Sequence, residues 1–263
     1  MRESVVKSLA EPLADSHKGH NGILTIIGGS SKYHGAPLLC VQAASRFVDL
    51  VYFHSPEREV ASLVRRMREK SKEFIVVQRR ELDARVRISD CVLVGNGMAA
   101  DSLTGELVNG LLRRHKKKMF VLDAAAIRVV DRTLLGPNCV ITPHANEFYA
   151  LFGVAHDPRE ILRQASRYGC VILFKGKHDF ISDGKTIWRN ITGNAGMTKG
   201  GTGDVLAGLT AALCCRNDPL DAAKAAAYIN GLAGDLLYQK VRHAFNAGDL
   251  ANELPLAYKE AMG

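Results

Sequence analysis

The segment richest in chemical potential runs from Gly193 to Gly208 (Gly-Asn-Ala-Gly-Met-Thr-Lys-Gly-Gly-Thr-Gly-Asp-Val-Leu-Ala-Gly). Six of its sixteen residues are glycine, and the apolar spacing through Leu209, Ala212 and Leu213 predicts a helix directly after it. Glycine lets main-chain N–H groups approach a ligand because no side chain intervenes. A glycine-rich turn that opens a helix adds the positive end of the helix dipole and so makes an anion site. Asp204 falls in the first turn of that helix. A carboxylate there can take a proton from a hydroxyl while the amides hold the phosphoryl group that the hydroxyl attacks. The plainer alternative is a tight loop with Asp204 as a helix cap. Asn194, Thr198 and Thr202 add polar groups at close spacing and favour the chemical reading. The loop lacks the Gly-Lys-Ser/Thr ending of a Walker loop, and it falls too late in the chain for a dinucleotide fingerprint.

Such a loop needs a scaffold, and the chain supplies a regular one. Short apolar runs rich in β-branched residues predict strands at 23–27, 50–53, 74–77, 91–94, 119–122, 139–142 and 171–174. Strands apolar throughout suit a sheet covered on both faces. Helical spacing predicts helices at 36–48, 57–70, 102–115, 146–152, 158–168, 204–215 and 219–240. Asp157-Pro158 and Asp218-Pro219 each place a capping residue before a proline at the first helical position. The alternation predicts an α/β fold with a mainly parallel sheet. One antiparallel feature is expected, a hairpin over 179–188 turning at Asp183-Gly184. With 263 residues, no linker and no repeat, a single domain over 1–263 is the expectation.

Composition narrows the class further. Apolar residues make up 47% of the chain and aromatics 6%, so the core is expected to be aliphatic. The formal charge is +8, concentrated in Arg65–Lys70 and Arg113–Lys118. Each run ends a predicted helix, where cations complement the dipole, and no aromatics interleave with them. These runs therefore read as solvated helix ends, with no nucleic acid as partner. Six cysteines sit mostly in apolar stretches without metal-ligand spacing, which suits a reducing cytoplasm. No stretch reaches the ~20 apolar residues of a membrane span, so no membrane association is expected.

The loop 194–208 closely resembles the signature of the ADP/ATP-dependent NAD(P)H-hydrate dehydratases of the ribokinase-like superfamily. Further resemblances follow in the family's order. Gly28-Gly29-Ser30 with Tyr33 to Pro37 is similar to its first strand end and substrate loop, and Gly95 to Met98 to its second glycine turn. Asp123 to Ile127 resembles its post-strand Asp segment, and Thr142-Pro143-His144 its Thr-Pro-His motif. Lys175 to Asp179 is similar to its nucleotide-binding strand end.

The resemblance implies a three-layer α/β/α sandwich. It also implies a reaction in which the hydroxyl of the S epimer of hydrated NADH or NADPH is phosphorylated and phosphate then leaves. It assigns Asp204 as the base, and Gly201, Thr202 and Gly203 as amide donors to the phosphoryl group. Lys175, Gly176, Lys177, His178, Asp179 and Gly203 would border the nucleotide. Ala36, Gly97, His144 and Asp204 would contact the hydrate. Mg²⁺ is the implied cofactor, with Glu147 as an outer-shell partner, and ADP or ATP the phosphoryl donor, a choice the residues leave open.

Two departures stand out. Ala125 occupies a position where the family usually carries a second aspartate, and Ala145-Asn146-Glu147 replaces the usual Pro-Gly-Glu. A small-molecule kinase of the same superfamily, acting on a hydroxymethylpyrimidine, thiazole or sugar alcohol, remains an alternative. So does a nucleotide-binding regulator without catalysis. His34 and Lys199 are either phosphate-reaching or merely solvated, and Asp49 and Asp235 read as capping or exposed residues. The expected quaternary state is a homo-oligomer, with the 219–240 helix available for an interface. Any hydrate epimerase acting alongside is expected to be a separate protein, because 263 residues leave no room for one.

Overall fold

The computed structural model describes residues 4–57, 64–65 and 73–263. Among them, nine strands form one sheet: β1 (Ile23–Ile27), β2 (Leu50–His54), β3 (Ile75–Val76), β4 (Cys91–Val94), β5 (Met119–Leu122), β6 (Cys139–Ile141), β7 (Val171–Phe174), β8 (Phe180–Ser182) and β9 (Ile187–Arg189). Their order is β3-β2-β1-β4-β5-β6-β7-β8-β9. From β3 to β7 every pairing is parallel. β8 and β9 continue the sheet antiparallel.

The apolar strands are explained by helices on both faces. Leu24, Ile26, Leu93 and Val121 face one layer, whereas Ile27, Val92, Val94, Phe120 and Leu122 face the other. The first layer contains the helices Gly35–Ala44, Thr202–Leu213, Pro219–Val241 and Ala247–Met262. It packs through small residues. A Cβ on Gly208 would lie 2.5 Å from the carbonyl oxygen of Cys40, so these two helices meet backbone to backbone. The second layer holds Leu82–Ile88, Ser102–Arg114, Ala125–Val129, Ala145–Phe152 and Pro158–Tyr168. Larger rings fill it: Phe148 meets Phe152 at 4.8 Å and Phe174 at 5.8 Å between centroids, both edge-on. The three-layer α/β/α arrangement expected from the sequence is the one observed.

Both predicted proline caps form. Asp157 accepts a hydrogen bond from the Glu160 amide at 2.8 Å, and Asp218 from that of Leu220 at 2.9 Å. The hairpin differs in detail. Ser182 pairs with Ile187, so four residues make the loop, and the Asp183 carboxylate accepts the Lys185 and Thr186 amides at 2.9 Å each. The helices Leu82–Ile88, Ala125–Val129 and Ala247–Met262 were not expected. The last carries Pro255 in its interior, the residue type that argues against a helix. The helix expected over 57–70 and most of the Arg65–Lys70 run lie outside the described residues. In the other basic run, Arg114 and His115 pair with Asp83 at 3.3 and 2.9 Å, and Arg113 with Asp131 at 3.4 Å. All six cysteines are free, and no helix among the described residues is long and apolar enough to cross a membrane.

Candidate active site

Strand order reverses between β1 and β4, and in open α/β sheets the crevice beyond the strand ends at such a point is where ligands bind. The turns that follow these strands are tied together there. The Gly29 amide donates to the Asn96 carbonyl at 2.8 Å, and the Gly95 amide to that of Ile27 at 3.2 Å. Gly97, with φ of +71°, lets its chain pass against the carbonyl of Tyr33. A Cβ there would collide with that oxygen and lie 3.2 Å from Cβ of Ala36. Ala36 and Gly97, expected in the substrate site, are thus brought together.

Next to them a polar network is built from the ends of four strands and two helices. Asn96, fully buried, donates from Nδ2 to Asp204 Oδ1 and to Asp123 Oδ2, both at 2.7 Å. Asp123 Oδ1 also accepts from the Thr142 hydroxyl and from Lys175 Nζ, again at 2.7 Å each. Lys175 Nζ lies 3.9 Å from Glu147 Oε2, which accepts the His144 amide at 3.0 Å. Burial works against the Lys175 ammonium, but Asp123, Glu147 and Asp204 outweigh it and hold its pKa above the usual lysine value.

Asp204 sits in the first turn of Thr202–Leu213. Burial pushes its carboxyl up to about 6; the Asn96 bond pulls the other way, and Asp123 pushes it up further. It accepts one hydrogen bond among the described residues, the one from Asn96. The preceding turn is held by Gly201 at φ +97°, a left-handed conformation natural to glycine. Among the described residues the amides of Gly201, Gly203 and Asp204 have no partner. That of Thr202 makes a long 3.4 Å bond to the Lys199 carbonyl. The Thr202 hydroxyl is engaged with the Met197 and Lys199 carbonyls at 2.6 and 2.9 Å, so it braces the loop.

A cavity of about 540 Å³ opens beside this turn. Lys175, Gly176, Lys177, His178, Asp179, Thr202 and Gly203 form part of its wall, which brings the expected nucleotide-site residues to one place. Lys175 Nζ lies 3.7 Å from where a Cβ on Gly203 would stand, so a cation and free amides share this end. Asp179 accepts from the Gly176 amide and from Asn190 Nδ2, both at 3.2 Å, so it shapes the strand-end turn. Burial raises its pKa.

Other residues have roles that the sequence did not reveal. His144 caps Ala145–Phe152, its Nδ1 accepting the Asn146 amide at 3.1 Å and the Glu147 amide at 3.4 Å; the ring is half-exposed, and its Nε2 lies 3.4 Å from Glu147 Oε1. Glu147 completes that capping box and faces Lys175. No group of three or more metal-ligating side chains gathers among the described residues. Such a donor set could meet a divalent cation only through water or through oxygens that a ligand brings. Lys199 is exposed, as the solvated reading expected, and its ammonium also binds the His243 and Phe245 carbonyls. Asp235 accepts the Gly193 amide and Asn194 Nδ2 at 2.9 Å each, anchoring the start of the glycine loop. Asp49 holds the Gly19 and Asn21 amides at 2.8 and 3.0 Å. Asn96, Asp123 and Thr142 carry the network; each lies in a segment that the resemblance marks, but nothing in their spacing reveals these bonds.

A family model described as NAD(P)H-hydrate dehydratase matches residues 24–256. A curated relative from Nitrosopumilus maritimus, an ADP-dependent (S)-NAD(P)H-hydrate dehydratase, is 38% identical over 97% of this chain and 94% of its own. This chain belongs to the NAD(P)H-hydrate dehydratase family. A bifunctional NAD(P)H-hydrate repair enzyme from Archaeoglobus fulgidus is 39% identical over 92% of the chain but only 52% of its own length. The chain therefore spans about half the length of the bifunctional family members it matches. Among solved structures, the ADP/ATP-dependent NAD(P)H-hydrate dehydratase from Bacillus subtilis, co-crystallised with ATP and Mg²⁺, superposes with a TM-score of 0.81 at 25% identity over 98% of this chain and 97% of its own. A ribokinase-like superfamily protein from Enterococcus faecalis reaches 0.87 at 25% identity, covering 99% and 95%. The fold of the family is thus ribokinase-like.

Proposed function

We propose that this chain dehydrates the S epimer of hydrated NADH or NADPH at the expense of ADP or ATP, regenerating the reduced dinucleotide. The observation that carries this reading is that Asp204 directly follows Thr202 and Gly203 of the cavity wall and is hydrogen-bonded to Asn96, the neighbour of Gly97, in a chain of this family. Asp204, with its pKa near 6, is ionised at neutral pH and still basic enough to accept a proton. It takes the proton of the substrate hydroxyl as that oxygen attacks the terminal phosphorus of the nucleotide. The Gly201 and Gly203 amides, with that of Thr202 in support, and the helix dipole hold the migrating phosphoryl group. Lys175 offsets its charge from the cavity side. Hydroxide is a poor leaving group and phosphate a good one. Phosphate departs with the C–O electrons, the ring nitrogen lone pair fills the deficit, and loss of a proton from the neighbouring carbon restores the dihydropyridine. Mg²⁺, with Glu147 as its outer-shell partner, would supply charge neutralisation for the phosphoryl transfer.

Lys175 to Asp179 form the nucleotide wall in this reading, and Ala36, Gly97 and the half-exposed ring of His144 contact the hydrate. Ala125 is buried at the start of a short helix, and Lys175 already neutralises Asp123, which supports activity without a second aspartate. The remaining features of the proposal are one domain, assembly into a homo-oligomer, an epimerase acting on the other hydrate epimer, and a cytoplasmic setting, which six free cysteines support. The test is to prepare NADPH hydrate, add ADP or ATP with Mg²⁺, and follow the reduced-nicotinamide absorbance. Recovery of the band supports the reading. A phosphorylated alcohol accumulating without recovery points to a small-molecule kinase, and nucleotide binding without either points to a regulator.

A further inference from the structure

The cavity beside Gly203 contains a second feature that the phosphoryl chemistry does not use. The long helix Pro219–Val241 presents Asn230 and Gly231 to its wall. Asn230 is only 5% exposed, and its Oδ1 is buried with no hydrogen-bond partner among the described residues. A buried acceptor left unpaired is costly, and such atoms in native proteins are normally satisfied by a protein group, an ordered water or a bound ligand. The position is rigid. The helix is joined to the facing loop just before it, where Asn190 Nδ2 donates to the Ala227 carbonyl at 3.0 Å and the Thr192 hydroxyl to that of Tyr228 at 3.1 Å. Gly231 is pressed so closely on Thr192 that a Cβ would collide with the threonine hydroxyl. His178 Nδ1, in the same cavity wall, is likewise buried without a partner.

We infer that Asn230 selects the base of the nucleotide, its Oδ1 accepting a hydrogen bond from the exocyclic 6-amino group of adenine. The inference rests on the cavity holding a nucleotide, as proposed above. With the phosphates at Gly203 and Lys175, the base is the part of the ligand left to meet the long-helix wall. A carboxamide sets an acceptor beside a donor and matches the amino-group donor and N7 acceptor of adenine. Hypoxanthine and guanine present two acceptors on that edge and leave Oδ1 unpaired. A site built to satisfy a buried polar group rejects an analogue that lacks the matching atom.

The test measures binding of ADP, IDP and the diphosphate of unsubstituted purine riboside, with Mg²⁺, to the wild-type chain and to Asn230→Ala by calorimetry. The wild type is expected to bind ADP about 10- to 100-fold more tightly than the two analogues. In Asn230→Ala the three affinities should converge at the analogue level. An unchanged ADP preference in that variant overturns the inference, and so does a wild type that binds ADP and IDP equally. If the variant does not fold, as judged by its melting profile, the wild-type ligand series alone decides. A wild type that binds none of the three sinks the nucleotide reading itself, a result distinct from the loss of base selectivity.

Discussion

The strand-end region around Asp123 and the helix-start region around Asp204 share one amide, since Asn96 donates to both carboxylates at 2.7 Å. Around Asp123 everything else is satisfied: Thr142 and Lys175 each add a 2.7 Å bond, and the residue is 2% exposed. Asp204 has only the Asn96 bond among the described residues, is half-buried, and has its carboxyl raised to about 6. The same type of side chain is thus a fixed anchor in one place and, in the proposed reaction, the base in the other. Surroundings that differ in this way are how a site assigns distinct tasks to two carboxylates.

Asp204→Asn attacks the reactive half of this contrast and should have the largest effect. Hydrate-dependent turnover should fall by about 10³-fold or more while nucleotide binding survives, as read by the absorbance assay and calorimetry. Retained turnover would remove Asp204 from its role. The variant should also show a stability signature. A folded pKa near 6 lies above the ordinary value of 3.8, so the folded state holds the proton more tightly than the unfolded one. The buried charge therefore becomes a liability as pH rises from about 4 to above 6. Asp204→Asn should melt about 3 °C above wild type at pH 8, with no gain below about pH 4.

Lys175→Met strikes the anchored half. It leaves Asp123 and Glu147 without their cation and should cost about 2–4 kcal/mol, seen as a melting point lower by about 5–10 °C. Because the folded pKa of this lysine is raised, the stability it contributes is fully present at neutral pH and is lost only as pH climbs through that raised value. A variant as stable as wild type would mean that the anchor needs no cation.

Asn96→Leu tests the shared amide. The kcat/KM profile of the wild type should rise with pH around 6 as Asp204 ionises. Removing a donor that favours the ionised form should move that limb up by about one pH unit. An unmoved limb would separate the titrating group from Asn96.

The smallest effect is expected at Ala124, directly after Asp123. It sits at φ 49° and ψ −117°, a region that is essentially the province of glycine. Ala124→Gly should relieve this strain and raise stability by about 0.5–1 kcal/mol in thermal unfolding. A loss would show that the conformation costs nothing there.

Much of the scaffold was legible along the chain. Strand runs such as Cys91–Val94 and Val171–Phe174 announced themselves because burial on both faces removes every polar position. The capped helices at Asp157 and Asp218 followed from local hydrogen bonding. Ala247–Met262 holds Pro255, a residue type that argues against a helix interior, although the Asn246–Asp249 capping box marks its start. Asp204 was legible because a glycine-rich turn and a helix start are neighbours in sequence. Asn96 reaches Asp123 across 27 residues and Asp204 across 108, and no local periodicity records such a contact. The anchoring role of Asp235 escaped for the same reason, its partners Gly193 and Asn194 lying about forty residues away. Local propensity and burial pattern, which act between residues close in sequence, therefore fixed the elements and the anion loop. The pairing of charges, the capping duty of His144 and the raised carboxyl of Asp204 depend on distances and solvent exclusion that arise only once the sheet has aligned its strand ends.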